Sequence, residues 1–567
     1  MRILLVNPPY KVYYTSKTQL FLPRNLAILA SCLLSADIPK KDIEIYDMPI
    51  LHASLDDLKT KVVEFDPDVV GIGIHATPFI PEVSKCAKAV RQVKQNVVIV
   101  TGGIIPSIFK QTIFDIIPEI DVAFEGDSEK SFVQFIKSLD GGSQFAAKHS
   151  IIHNGELNKH VKYPLPAYDL LPLNKYRDYY SEASSFEEEF APHLEIMRGC
   201  PYQCDFCGVE RNVRWRDIDD VVEEIAYLKE NGYSKLYFCD ETFTLVPEKV
   251  QELCTKIIDL HSDIKWRCVT RSDSICKHPE LVPLMREAGC YEIGLGIEVG
   301  SQEILDKIKK GLRIEQQVEA TRLLHSHGVN VNALVILCNP KETHRDVRRT
   351  LQFVAQQLKP TTSQLFIFHP VPSTPYFDSS SAFGIDTHIK SIEDWYKWDH
   401  TGEPVSETEV FAREDMIKYY VNYNRALSTV LDPEKDSRLV DRLSSVKNIF
   451  PRKRKEVVFG WDGRRSFFYN PDYPPEVLDG NLYKNAVQIT PLRYDDVPEY
   501  DGDEPLEQIS DRLHYEILLH CNGDFTLEEI SDIVGKMFST GTVVSTKIID
   551  VVLRRFEKLN IIHKLDE

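Results

Sequence analysis

The chain has 567 residues, of which 43% are apolar and 27% charged, the make-up of a soluble globular protein with roughly three or four domains rather than one core. Its net charge of −19 opposes a general nucleic-acid binder, which needs a basic face to displace counterions, while leaving room for a small basic pocket. No apolar run approaches the roughly 18 residues of a bilayer span, and MRILLVNPPY lacks the apolar length and cleavage site of a signal peptide, so a cytoplasmic location is expected.

In residues 1–140, ILLVN (3–7), IEIYD (43–47), DVVGIGI (68–74), VVIVTGG (97–103) and VAFEG (122–126) read as strands. Each is short, rich in Val and Ile, and ended by Gly, Asn or Asp. Helix-like stretches such as Asn25–Leu34 and Pro81–Lys94 separate them. This order predicts a doubly wound parallel sheet of Rossmann-like type, with ligands at the carboxyl ends of its strands. The exits Asn7–Pro8, His75–Thr77, Gly102–Gly103 and Glu125–Gly126 then share one rim. His75 reads as a strand-end polar residue rather than a ligand.

Residues 141–190, broken by Gly141, Gly142, Pro164, Pro166 and Pro172, are expected to be a linker. From 191 to 385 a second alternation offers six strands, in HLEIMRGC, KLYFCDETF, DIKWRCVTR, YEIGLGIEVG, VNALVILCNP and SQLFIFHPVP. Six β/α units predict a partial parallel barrel with its site at the strand C-termini. Residues 386–450 are expected to be a helical extension. The basic run PRKRKE (451–456) opens the last region, 451–567, where VVFGWDGRRSFFYN predicts a hairpin around Asp462–Gly463. Residues 514–567 read as a small winged-helix-like unit.

Twelve cysteines do not make a disulfide framework in so long a chain. Nine are scattered and read as small core residues. The other three, Cys200, Cys204 and Cys207, lie at a C-x3-C-x2-C spacing directly after a predicted strand. A structural zinc site takes four ligands, usually in two separated pairs. A [4Fe–4S] cluster has four irons, so three thiolates leave one open to another ligand. A zinc site with a distant fourth ligand, and three chance core cysteines, are the competing readings.

This loop resembles the signature of the radical S-adenosylmethionine (SAM) superfamily. The resemblance implies a [4Fe–4S] cluster whose open iron is chelated by SAM, which is reductively cleaved to a 5′-deoxyadenosyl radical. Further matches carry site residues over: Phe206, before the last cysteine, to the adenine; Asp240 and Glu241 in FCDETF to the SAM amino group; Glu298 in GLGIEVGSQEILDKIKKG to the ribose. Without the resemblance, Asp240 and Glu241 read equally as a helix cap and Glu298 as a strand-end acceptor. HPVPSTPYF resembles the sixth-strand turn, with Ser373 where Gly is usual. CNPKET stands where the family often has Gly-Pro-Gly-Glu-Thr, so Glu342 is given no ligand role.

Residues 1–140 resemble the cobalamin-binding domain fused in front of many radical SAM enzymes, through VNPPY, PRNLAILASCLL, Asp47, PDVVGIGIHAT, VVIVTGG and DVAFEGDSEKSF. That resemblance implies cobalamin over Asn7, Pro8, Thr77, Gly102, Gly103, Glu125 and Gly126. The Asp-x-His-x-x-Gly pattern of the cobalamin mutases, whose His binds cobalt from below, is absent. A ligand-free Rossmann-like domain is the alternative. No G-x-G-x-x-G or phosphate loop follows any strand here.

The tail resembles the peptide-binding domain of pyrroloquinoline quinone biosynthesis, which implies leader-peptide recognition by strand addition. A structural appendage and a DNA-binding helix-turn-helix compete, the last opposed by nine acidic against six basic residues over 514–567. The family resemblance implies C-methylation of an unactivated carbon in a leader-bearing precursor peptide or a small metabolite, with electrons from a donor such as flavodoxin or ferredoxin. A cyclase or ring-rearrangement enzyme is the first alternative, and a non-catalytic cobalamin- or SAM-sensing regulator the second. No residue identifies the catalytic groups.

Overall fold

The computed structural model describes residues 1–9, 20–140, 148–153, 159–182, 191–260 and 263–387, scattered positions to 419, strands between 458 and 488, and residue 552. The described residues up to 420, apart from His344–Lys359, form one compact unit.

Its first half is a six-stranded parallel sheet of β1 (Ile3–Asn7), β2 (Ile43–Asp47), β3 (Val69–Gly73), β4 (Val98–Gly102), β5 (Val122–Glu125) and β6 (Ser150–His153), in the order β2-β1-β3-β4-β5-β6. All five residues of β1 and of β3 are buried, as expected of parallel strands covered on both faces. The chain reverses direction across the sheet between β1 and β3, the switch point where such folds form their crevice. Helices flank the sheet. That at Leu55–Phe65 begins with a capping box between Ser54 and Asp57.

β6 lies inside the stretch expected to be a linker. SIIH is too short to announce itself by alternation, and takes its strand geometry from four register pairs with β5. The same stretch holds β7 (His160–Val161) and a helix at Leu173–Glu182.

The second half contains β8 (His193–Leu194), β9 (Met197–Arg198), β10 (Arg214–Arg216), β11 (Lys235–Phe238), β12 (Lys265–Thr270), β13 (Cys290–Glu298), β14 (Asn330–Leu337) and β15 (Thr362–Ile367). Six of these form a parallel sheet, β15-β14-β13-β12-β11-β8, one from each predicted strand segment. Its two ends are not paired to each other among the described residues, so the sheet does not close there. β10 pairs parallel with β7 and antiparallel with β9, bracketing the cysteine loop.

Of the helical extension expected for 386–450, the described residues are helical at Ile392–Lys397 and at positions 413, 416 and 419, with strands beside them, and the rest lies outside the described residues. β16 (Ile385–Thr387) pairs antiparallel with β17 (Ser406–Thr408), with one 3-10 segment at Ile392–Lys397 between them. Cross-strand pairing overrides weak local preference there.

His344–Phe353, an α-helix running into a π-helical turn at Val354–Leu358, belongs to the second unit. In the C-terminal region Val458–Trp461 pairs antiparallel with Ser466–Tyr469, which also pairs with Ala486–Gln488. The winged-helix reading of 514–567 lies outside the described residues. Among the described residues no helix is long and apolar enough to cross a membrane.

Candidate active site

The cysteine loop leaves β9 at Gly199, whose φ is +87°; a Cβ there would lie 2.2 Å from the Asn212 carbonyl oxygen, so this exit needs glycine. The Cys200 amide donates to the Glu210 carbonyl at 2.8 Å, and the Cys207 amide turns back to Cys204 at 3.2 Å. Arg211 clamps the loop from outside by donating to the carbonyls of Tyr202, Cys204 and Cys207. Cys200 and Cys204 are buried, Cys207 half-buried, and none is bridged. Burial pushes the Cys204 and Cys207 thiols up, and neighbouring thiols add to this; Lys310 draws both down, with Arg271 acting on Cys204 and Arg211 on Cys207.

Three unbridged thiols on one short loop could hold three irons of an iron–sulfur cluster. Among the described residues no three His, Cys, Asp or Glu side chains gather closely enough to hold a single ion. The other described cysteines are mostly core residues, Cys86, Cys254, Cys268, Cys290 and Cys338 being buried, whereas Cys239 is exposed.

Asp240, at the end of β11, is buried and accepts from the backbone amides of Ile196 (3.0 Å) and Met197 (2.7 Å). It therefore fixes the strand that delivers the cysteine loop. Burial pushes its carboxyl up, against the pull of those two amides. Glu241 lines the large cavity described below, and burial raises its carboxyl too. Glu298 ends β13 at a register shift with φ +61°. It is 6% exposed and accepts from Lys310 Nζ at 2.6 Å. A Cβ on Gly296 would lie 2.8 Å from both Glu298 Oε1 and Lys310 Nζ, so this glycine makes room for the ion pair. Lys310 Nζ also sits 5.9 Å from the centroid of the Phe206 ring, which packs on Val299, Ile304, Leu305 and Ile308.

Two positions where glycine is usual keep its backbone shape without it. Ser373 has φ +67° and Lys341 φ +69°. Glu342 accepts from the Asn339 amide at 2.6 Å, a local turn contact.

A cavity of about 1190 Å³ opens between the strand exits of the first sheet and the cysteine loop, above the ~300–1,000 Å³ of ordinary small-molecule sites. Gly102, Gly103, Glu125 and Gly126 line it from one side, and Cys207, Gly208, Glu241 and Ser373 from the other. Gly103 has φ +116°, and a Cβ there would meet the Ile74 carbonyl oxygen at 2.4 Å. A floor of backbone and small side chains in so large a space fits a broad flat macrocycle such as a corrin.

Asn7, Pro8 and Thr77 are not among the lining residues. Asn7 instead donates to Asp47 at 2.8 Å, and Tyr176 OH donates to the same carboxylate at 2.5 Å. Burial lifts Asp47 to about 6 despite both donors.

Sequence reasoning missed the charged network around this cavity. Arg198, adjacent to the cysteine loop, donates to Asp127 (2.9 Å), Glu129 (2.7 Å) and Glu195 (2.7 Å). Arg214 reaches Asp127 at 2.7 Å. Arg24 and Arg216 converge on buried Glu224. The acidic run after β5 is thus fastened to both ends of the cysteine loop. The only hint in the sequence was the departure of Asp127–Ser128–Glu129 from the usual pattern.

The radical SAM superfamily model matches residues 194–354, and the B12-binding domain model residues 10–136. An uncharacterised methyltransferase of Pyrococcus horikoshii is 27% identical over 441 residues, 74% of this chain and 90% of that protein. An anaerobic magnesium-protoporphyrin IX monomethyl ester cyclase of Rubrivivax gelatinosus is 26% identical over 395 residues, 66% of this chain and 69% of that one. Among solved structures, the cobalamin-dependent S-adenosylmethionine radical enzyme OxsB, with aqua-cobalamin and S-adenosylmethionine bound, superposes with a TM-score of 0.61 at 16% identity, covering 100% of this chain and 82% of that one. A B12-binding domain ahead of a radical SAM domain, with one cavity facing both, makes this chain a cobalamin-dependent radical SAM enzyme that uses a [4Fe–4S] cluster, SAM and cobalamin.

Proposed function

We propose that the enzyme is a C-methyltransferase acting on an unactivated carbon of a peptide or small metabolite. The observation that carries this is the single cavity, lined at once by the glycine exits of β4 and β5 and by Cys207 and Gly208 of the cysteine loop. A substrate carbon held in that space has both cofactor positions within one cavity. When bound, the cluster with SAM supplies one-electron hydrogen abstraction and the corrinoid supplies methyl transfer.

The chain's own residues orient and enclose. Cys200, Cys204 and Cys207 hold the cluster, Arg211 and Asp240 fix their loop, and Phe206, Glu241 and Glu298 are assigned to SAM. Asp240 is assigned a positioning role, because two backbone amides already occupy its carboxylate. Gly102, Gly103, Glu125 and Gly126 are assigned to the corrin. Asn7 supports that rim through Asp47, and Pro8 and Thr77 stand just beyond β1 and β3. A cytoplasmic setting with flavodoxin or ferredoxin as electron donor suits such chemistry, and the C-terminal region is the place for a leader peptide to bind.

Anaerobic turnover with a low-potential reductant tests the reading. Methylated product should appear with S-adenosylhomocysteine and 5′-deoxyadenosine. A cyclised or rearranged, unmethylated product without S-adenosylhomocysteine would favour the cyclase reading, which the likeness to the Rubrivivax cyclase supports.

A further inference from the structure

The large cavity touches the cysteine loop at Cys207 and Gly208. A second cavity, of about 650 Å³, meets the same loop at Tyr202, between Cys200 and Cys204, and nothing in the proposed reaction uses it. The Tyr202 ring lies against buried Arg271, whose guanidinium carbon stands 3.6 Å from the ring centroid. Arg271 is fixed in turn by Asp273 at 3.0 Å and by the Lys310 carbonyl at 2.9 Å. Pro201 and Gln203, on either side of the tyrosine, are exposed, so the loop reaches the surface here.

The charge around this opening runs against that of the chain. Of the cavity's three carboxylates, Asp273 is paired with Arg271 and Glu319 with Arg322, which leaves Glu315. Lys277 and Arg313 line the same cavity, both exposed, and among the described residues neither has a carboxylate partner. Exposed Arg211, which donates to the Tyr202 and Cys207 carbonyls, adds a positive charge that these neutral partners do not cancel. On a chain of net charge −19, a local positive surface steers and orients acidic partners.

We propose that this cavity is the docking site of a small acidic flavoprotein that delivers single electrons to the cluster at the Tyr202 end of its loop. The inference rests on the cluster occupying Cys200, Cys204 and Cys207. One electron leaves the carrier's reduced flavin and the oxidised cluster takes it up, while no bond in this chain forms or breaks. A concave site beside an aromatic ring suits the edge of a flat flavin. Transient electron-transfer contacts bury little surface, under about 1,200 Å² in all, so one cavity and a few charges suffice.

The test uses the full chain, reconstituted anaerobically with iron and sulfide, and the double variant Lys277→Glu/Arg313→Glu. Both side chains are exposed, so the reversal spares the fold. Titration calorimetry with oxidised flavodoxin reads docking without turnover. Stopped-flow bleaching of the cluster absorbance reads electron delivery from reduced flavodoxin, with dithionite, which needs no docking site, in parallel. The reversal should weaken flavodoxin binding and slow its electron delivery by at least about tenfold at low salt, and leave the dithionite rate unchanged. In the wild type, added salt should slow flavodoxin but not dithionite. Equal flavodoxin binding and rates in the two proteins overturn the proposal, and so does a matching slowdown with dithionite. Wild-type delivery from flavodoxin that is indifferent to salt overturns it too, whatever the variant does. A variant that changes the size of the particle in solution, with flavodoxin rates unaltered, would make the cavity a contact between copies and defeat the proposal. A wild type that dithionite cannot bleach would defeat the cluster reading itself, a separate and recognisable result.

Discussion

Replacing Glu224 by Gln should loosen the join between the two α/β halves. The carboxylate has 0% side-chain exposure. It accepts from Arg24 Nε at 2.7 Å, Arg24 Nη2 at 2.8 Å and Tyr168 OH at 2.6 Å, and pairs with Arg216 at 2.8 Å. Burial alone would push its carboxyl up; Arg24 and Arg216 overcome this and hold it at about 2, against an ordinary 4.5. A folded-state pKa below the unfolded one means that folding favours the charged form. The contribution is therefore complete above pH 4.5 and is lost as pH falls toward 2. That difference corresponds to on the order of 3 kcal/mol. Breaking a buried ion pair from one side costs a similar ~3–5 kcal/mol. Glutamine keeps the shape but takes the carboxylate from buried Arg216 and leaves Arg24 with Glu195 alone, at 3.5 Å. In guanidinium chloride at pH 7, followed by tryptophan fluorescence, the midpoint should fall by roughly 0.5–1.5 M. The gap between the two proteins should narrow at pH 3. Equal midpoints at pH 7, or a gap indifferent to pH, would refute the buried-charge reasoning.

Gly103→Ala should abolish cobalamin retention, measured by absorbance after desalting, because the new Cβ would meet the Ile74 carbonyl oxygen at 2.4 Å. Ser373→Gly should stabilise the protein by about 1 kcal/mol in thermal unfolding, since it removes a side chain from a left-handed position. Lys310→Met should destabilise by roughly 3–5 kcal/mol by stranding buried Glu298, and should raise the SAM concentration needed for half-maximal cleavage.

The sequence was most readable where structure is local. Five strands of the first sheet announce themselves as Val- and Ile-rich runs, and the cysteine loop is legible because its three cysteines lie within eight residues. β6 was hidden, because SIIH becomes a strand only through its pairing with β5. The roles of Asp240 and Asn7 were hidden for a related reason. FCDETF and VNPPY mark them as important, but only the fold shows that Asp240 accepts from amides more than forty residues away and that Asn7 donates to Asp47. The Arg24–Glu224 contact joins residues 200 positions apart, beyond the reach of any periodicity.

Iron and sulfide reconstitution under anaerobic conditions, followed by paramagnetic resonance of the reduced protein before and after adding SAM, tests the centre of this account. A reduced four-iron signal that shifts on SAM addition, and that vanishes when any one of Cys200, Cys204 and Cys207 is replaced by Ala, is the predicted result. A signal indifferent to SAM, or tight stoichiometric zinc on those three thiols, would contradict it.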